Sequence, residues 1–160
     1  MTAEQEKNLE AKLENLLEEM YILFQEVKVA SCYDVPQQEV ENSEKALVRR
    51  VTEMFKEIGI PANIVGYEYA RTAIMKVYKD YDFFNVTMKD LYQYVAEIYE
   101  VNVTKVERGI RVAIDKVWHE WNAKTLQKYF GYSVSSKRGK PTNSEFIAVM
   151  VEQLHFQDDN

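Results

Sequence analysis

The side chains best placed for chemistry are four charged residues in "TKVERGIR", residues 104–111: Lys105, Glu107, Arg108 and Arg111. Around them Val106, Ile110, Ala113, Ile114 and Val117 recur at helical spacing, which predicts a helix from about Thr104 to Trp121 with that stripe buried. Lys105, Arg108 and Arg111 step by three, so they fan over roughly a third of the helix circumference near its start. That fan suits a nucleic-acid duplex. An arginine can grip guanine with two hydrogen bonds, Glu107 can accept from a cytosine amino group, and neighbouring cations can rest on phosphates. The same residues also suit a plain solvated face, and Glu107 stands at capping-box spacing from Thr104. On the residues alone both readings stay open.

A helix that enters a major groove needs a partner helix to present it. Residues 92–111, "YQYVAEIYEVNVTKVERGIR", have the pattern of a helix-turn-helix over about 88–121. Ala96 supplies the small residue for a close crossing, and Val95, Tyr99, Val101, Val106 and Ile110 supply apolar contacts on both sides of a short turn. Glu100 stands where glycine is commonest, and an ordinary helical hairpin fits the pattern nearly as well. Downstream, "SSKRGKPTN" groups Lys137, Arg138 and Lys140 around Gly139 in a predicted loop, either a phosphate grip or an exposed connection.

The net charge of −6 would argue against a polyanionic partner were it evenly spread. It is not. Residues 1–44 carry 3 basic and 11 acidic side chains, a balance of −8, and residues 102–140 carry 9 and 3, a balance of +6. For double-stranded DNA as a partner, the local field matters more than the total.

The remaining elements are predicted to be helical. Leu9, Leu13, Leu16, Met20, Leu23, Val27 and Ala30 alternate by four and three along residues 4–30, a heptad seam that Leu17, Tyr21 and Phe24 widen. Such a seam serves a homodimer or packs against a body. A polar linker with Pro36 follows at 31–43, so the expected division is an acidic amphipathic helix plus linker at 1–44 and a helical domain at 45–160. In that domain Ser43 is expected to cap a helix ending at Gly59, and a second covers 63–79 with Gly66 at a close crossing. Thr87 with Asp90 opens a third, the 104–121 helix is the fourth, 123–130 a fifth, and Thr142 with Glu145 opens the last, ending near Phe156. The fold class is therefore all-α: a bundle of about six helices containing a helix-turn-helix, preceded by an amphipathic helix. Most of the eleven tyrosines are expected in the core.

Other classes find little support. His119, His155 and Cys32 have no metal-ligand spacing, no glycine-rich phosphate loop or nucleophile motif is present, and no catalytic residue or cofactor is expected. No run approaches the ~18 apolar residues of a membrane span, and "MTAEQEKNLEAKLE" is too charged for a signal peptide. The expected location is the cytoplasm, at the nucleoid.

Three longer stretches, "EIGIPANIVGYEYARTAIMKVY" (57–78), "VERGIRVAIDKVW" (106–118) and "FGYSVSSKRGKPTNSEFIA" (130–148), closely resemble the C-terminal effector domain of the sporulation master response regulator of endospore-forming bacteria. The resemblance runs from about Leu47 to Phe156. It implies an all-helical domain that binds a TGTCGAA-type promoter element, often as tandem dimers. By position, the family's DNA contacts fall on Thr104, Lys105, Glu107, Arg108 and Arg111. The family's "SRVERAIRHAI" differs from "TKVERGIRVAI" here: Lys105 replaces an arginine, and Val112 a polar histidine. An ammonium group cannot reproduce a bidentate guanidinium fork. The family's receiver domain has no counterpart in the acidic segment at 1–44, so control by phosphorylation is not expected. A rival function follows from that segment: an antagonist that pairs through its N-terminal helix with a full-length relative or an RNA polymerase subunit.

Overall fold

The computed structural model describes residues 3–31, 37–80, 87–120, 123–131 and 139–158. Among them are seven α-helices and no strand: α1 (Ala3–Ser31), α2 (Gln37–Ile58), α3 (Val65–Lys79), α4 (Met88–Ile98), α5 (Val103–Glu120), α6 (Ala123–Phe130) and α7 (Asn143–Asp158). The chain divides into two units, Met1–Ser43 and Glu44–Asn160.

In the first unit, α1 is a single long helix whose seam residues Leu9, Leu13, Leu16, Met20 and Leu23 are 59–63% exposed. The side chain of Val27 lies outside the described residues, as does Cys32. One boundary differs from expectation. The helix expected to start at Glu44 under a Ser43 cap already runs from Gln37, and Ser43 sits inside it. Gln37, Gln38 and Glu39 are sound helix formers, and Glu39 in the first turn complements the positive end of the helix dipole. Polar composition alone does not break a helix.

The second unit is built on α3, which packs most extensively against α5 and α7, while α4 lies on α5. From α2, Leu47, Val51, Met54, Phe55 and Ile58 bury one stripe. From α3, Tyr67, Ala70, Ala73, Ile74 and Val77 bury another. Phe55 meets Tyr67 edge-on at 5.1 Å, and Phe146 of α7 stacks on Phe130 of α6 at 5.6 Å. Arg50 ties α2 to the end of α7, donating to the carbonyl oxygen of Leu154 at 2.5 Å and pairing with Asp158 at 2.9 Å. Of the described tyrosines, Tyr67, Tyr69, Tyr92 and Tyr129 are buried; Tyr78, Tyr94 and Tyr99 are half-buried, and Tyr21 is exposed.

Two helix ends share one stop. After α2, the Ile60 N–H donates to Phe55 O at 2.9 Å and Gly59 N–H to Lys56 O at 3.3 Å, with Gly59 at φ 82°. This is a Schellman motif, which needs a left-handed residue just past the helix. After α4, Val101 N–H donates to Ala96 O at 3.0 Å and Glu100 N–H to Glu97 O at 3.4 Å, with Glu100 at φ 52°. Glu100 thus adopts the conformation that glycine adopts after α2.

Candidate nucleic-acid interface

The turn stopped by Glu100 joins α4 to α5. Thr87 caps α4, accepting from Asp90 N–H at 3.4 Å while its hydroxyl donates to the Asp90 carboxylate at 2.6 Å. Val95 and Ala96 of α4 and Val101 of the turn pack with Val106 and Ile110 of α5, the small Ala96 being 3% exposed. On α5, Val106, Ile110, Ala113, Ile114 and Val117 are all buried, so the stripe read from periodicity is the core face.

The start of α5 is not capped as the sequence suggested. Asn102, not Thr104, is the cap: its side-chain oxygen accepts from Lys105 N–H at 2.8 Å. Asparagine at the N-cap outranks threonine, and Val103 rather than Thr104 is the first helical residue. Glu107 therefore forms no box with Thr104. It pairs instead with Arg111 one turn on, at 2.5 Å.

The outward face of α5 is cationic. Thr104, Lys105, Arg108 and Arg111 are exposed and Glu107 is half-buried. Among the described residues, Lys105 and Arg108 make no ion pair or side-chain hydrogen bond, whereas Arg111 is held by Glu107. A groove lies on each side. One, of about 850 Å³, runs between α5 and the start of α3, with Val65 and Val112 on its walls and Lys105 and Arg108 at its edge. The other, of about 380 Å³, lies between α5 and the start of α7 and includes Arg111, Asp115 and Lys140.

Residues 51–154 match the family model described as Sporulation initiation factor Spo0A C terminal. The chain belongs to this family. The Spo0A C-terminal domain is a DNA-binding effector domain of a sporulation transcription factor, a regulatory rather than an enzymatic family.

Within this effector domain, α3 and α7 hold α5 in place. Gly66 of α3 faces Gly109 of α5 so closely that a Cβ on Gly66 would lie 2.5 Å from the carbonyl carbon of Gly109, and nearer still to its oxygen. The crossing expected at Gly66 is real, and Gly109 is its unforeseen half. At the other side Asn143, 8% exposed, donates to Tyr92 OH and to Glu107 O, both at 3.0 Å, stitching α7 to α4 and α5. Burial pushes the pKa of the Tyr92 phenol upward, and the Asn143 hydrogen bond opposes that rise without cancelling it. Thr142 and Glu145 form the expected capping box: Glu145 N–H donates to Thr142 Oγ1 at 3.2 Å and Thr142 N–H to Glu145 Oε2 at 2.8 Å.

Of the cationic loop, Lys137 and Arg138 lie outside the described residues. Lys140 is half-buried and ion-paired with Asp115 of α5, which brings it beside the same face as Arg111. The sequence missed Asn102, Gly109 and Asn143. Asn102 stands at N-cap spacing and Asn143 within the "KPTN" run, whereas nothing in Gly109 itself announces a crossing. Among the described residues no group of three or more His, Cys, Asp or Glu could hold a metal, and no helix is long and apolar enough to cross a membrane.

Proposed function

We propose that this effector domain reads a TGTCGAA-type element in double-stranded DNA with α5 in the major groove. Arg108 is the central base contact, flanked by Thr104, Lys105, Glu107 and Arg111, while Lys137, Arg138 and Lys140 hold phosphates. The observation that carries the reading is that Lys105 and Arg108, in the first two turns of α5, are exposed and have no partner among the described residues, on a helix whose opposite stripe is core. The ion pairs of Arg111 and Lys140 present a small obstacle, because exposed pairs are worth only ~0–1 kcal/mol and can be exchanged for phosphate. The test is a mobility shift with TGTCGAA and scrambled duplexes. Arg108→Ala should cost ~1–3 kcal/mol of specific binding and leave the melting temperature unchanged. Equal binding by parent and variant would reject α5 as the reading helix.

The N-terminal helix supports a second element of the proposal: Leu9, Leu13, Leu16, Met20, Leu23 and Val27 pair with the same seam in a second copy, supplying the dimer that tandem half-sites need. The exposure of the described seam residues favours this, since an apolar stripe of that length left in water invites association. That stripe also favours the rival reading, an antagonist that captures a full-length relative or an RNA polymerase subunit. Sedimentation and one-box titration, with and without residues 1–44, separate the two. A dimer with cooperative binding supports pairing; a monomer whose seam takes up a relative supports the rival. The DNA-reading function would place the protein at the nucleoid.

A further inference from the structure

The groove between α3 and α5 is lined mainly by carbon, although it borders the cationic face. Val112 lies one turn beyond Arg108 and two beyond Lys105 on the same edge of α5, and it is 44% exposed. Across the groove Val65, the first residue of α3, is 57% exposed. No acidic residue lines this space, and the two cations at its edge, Lys105 and Arg108, have no partner among the described residues. An occupant that matches both features is anionic beside the two cations and presents a small apolar group to the two valines.

One common partner has that chemistry. In the major groove of DNA, thymine alone presents an apolar substituent, its 5-methyl group. We infer that Val112, with Val65 opposite, receives a thymine methyl and is a specificity-determining residue of this interface. The inference rests on the DNA reading above and adds to it a base preference at a defined place. Four residues of helix rise by ~6 Å. Successive bases along one strand are spaced ~3.4 Å apart, so the thymine lies about two base steps from the base that Arg108 contacts. Valine stands here in place of the polar histidine of the family pattern, so the methyl preference belongs to this chain.

The experiment removes the methyl groups one at a time. Each thymine of a TGTCGAA-type duplex is replaced by deoxyuridine, and binding of the full chain is titrated for the parent, Val112→Ala and Val65→Ala. The parent should lose about fourfold in affinity at one thymine, the fold-change that corresponds to ~0.8 kcal/mol for a buried methyl. Val112→Ala should bind the thymine and deoxyuridine duplexes alike at that position, with Val65→Ala between it and the parent. Both side chains are exposed, so the variants should fold, and a melting curve verifies this. A parent that prefers TGTCGAA over a scrambled duplex but ignores every methyl overturns this inference alone. So does a Val112→Ala variant that keeps the parent's methyl penalty. No preference for the TGTCGAA duplex at all overturns the DNA reading, and this inference with it.

Discussion

Gly66→Ala is the most direct probe of how the fold positions α5, the helix proposed to read DNA. The added Cβ would sit 2.5 Å from the carbonyl carbon of Gly109, and 3.2 Å from Ala113 Cβ. The obstruction is helix backbone, which cannot rotate aside as a side chain can. The Gly109 carbonyl oxygen lies nearer still, so relief requires α3 and α5 to separate by roughly 1.5 Å to restore ordinary van der Waals spacing. Overpacking of this kind costs ~1–3 kcal/mol. Displacement matters more for function, because recognition groups must be held within ~0.5 Å of their productive positions. A well-formed bidentate hydrogen-bond pair to a base is worth ~1–3 kcal/mol, so specific affinity should fall roughly tenfold or more even where the domain stays folded.

Gly109→Ala supplies the control at the same crossing. Its Cβ would meet the Tyr69 ring, with Cδ2 at 2.9 Å and Cε2 at 3.2 Å, and a ring edge can give by a few tenths of an ångström. Alanine also gains up to ~1 kcal/mol over glycine inside a helix, which offsets the contact. The expected order is therefore Gly66→Ala strongly impaired and Gly109→Ala near neutral. That order agrees with the alanine found there in the resembling motif. Thermal melts and mobility shifts on both variants measure it. If Gly66→Ala melts and binds as the parent does, the glycine crossing does not position α5.

Glu100→Gly should stabilise the domain. It relieves a left-handed residue costing ~1–2 kcal/mol, against ~0.5–1 kcal/mol of extra chain entropy for glycine. A net gain of about 0.5–1 kcal/mol should raise the melting temperature by ~2–4 °C, and a fall would show that the turn is not strained. Lys137→Ala with Lys140→Ala should weaken binding to specific and scrambled duplexes alike and reduce the salt slope by about one unit for each phosphate no longer neutralised. An unchanged slope in a titration against salt would demote that loop to a connection.

The parts of the fold most legible in the sequence were those set by period and stop signals. The stripe Val106, Ile110, Ala113, Ile114 and Val117 announced α5 because one side chain in three or four must face the core. Gly59 announced the end of α2 because it permits the left-handed φ a Schellman stop requires. The early start of α2 at Gln37 was hidden, since polar residues fit a solvated helix as well as a linker. The pairing of Gly66 with Gly109 was half hidden, because sequence gives each residue its own freedom and only the packed helices show which two backbones meet.

The cap at Asn102 decides how charge is distributed along α5. With Thr104 as cap, Glu107 would be committed to the helix start, and Arg111 would stand among free cations. With Asn102 as cap, Glu107 is released to hold Arg111 at 2.5 Å, one turn further along α5. Among the described residues, the unpaired positive charge at the front of α5 then narrows to Lys105 and Arg108, on the side that faces the α3 groove. On the opposite side Arg111 and Lys140 are each neutralised by a carboxylate of α5 itself, Glu107 and Asp115. An approaching polyanion meets an asymmetric helix, with open cations beside an apolar groove on one edge and paired cations on the other. In the proposed DNA complex, first engagement would fall to Lys105 and Arg108. On the same proposal, Arg111 and Lys140 would join only by exchanging their carboxylates for phosphates, at a cost of ~0–1 kcal/mol per exposed pair.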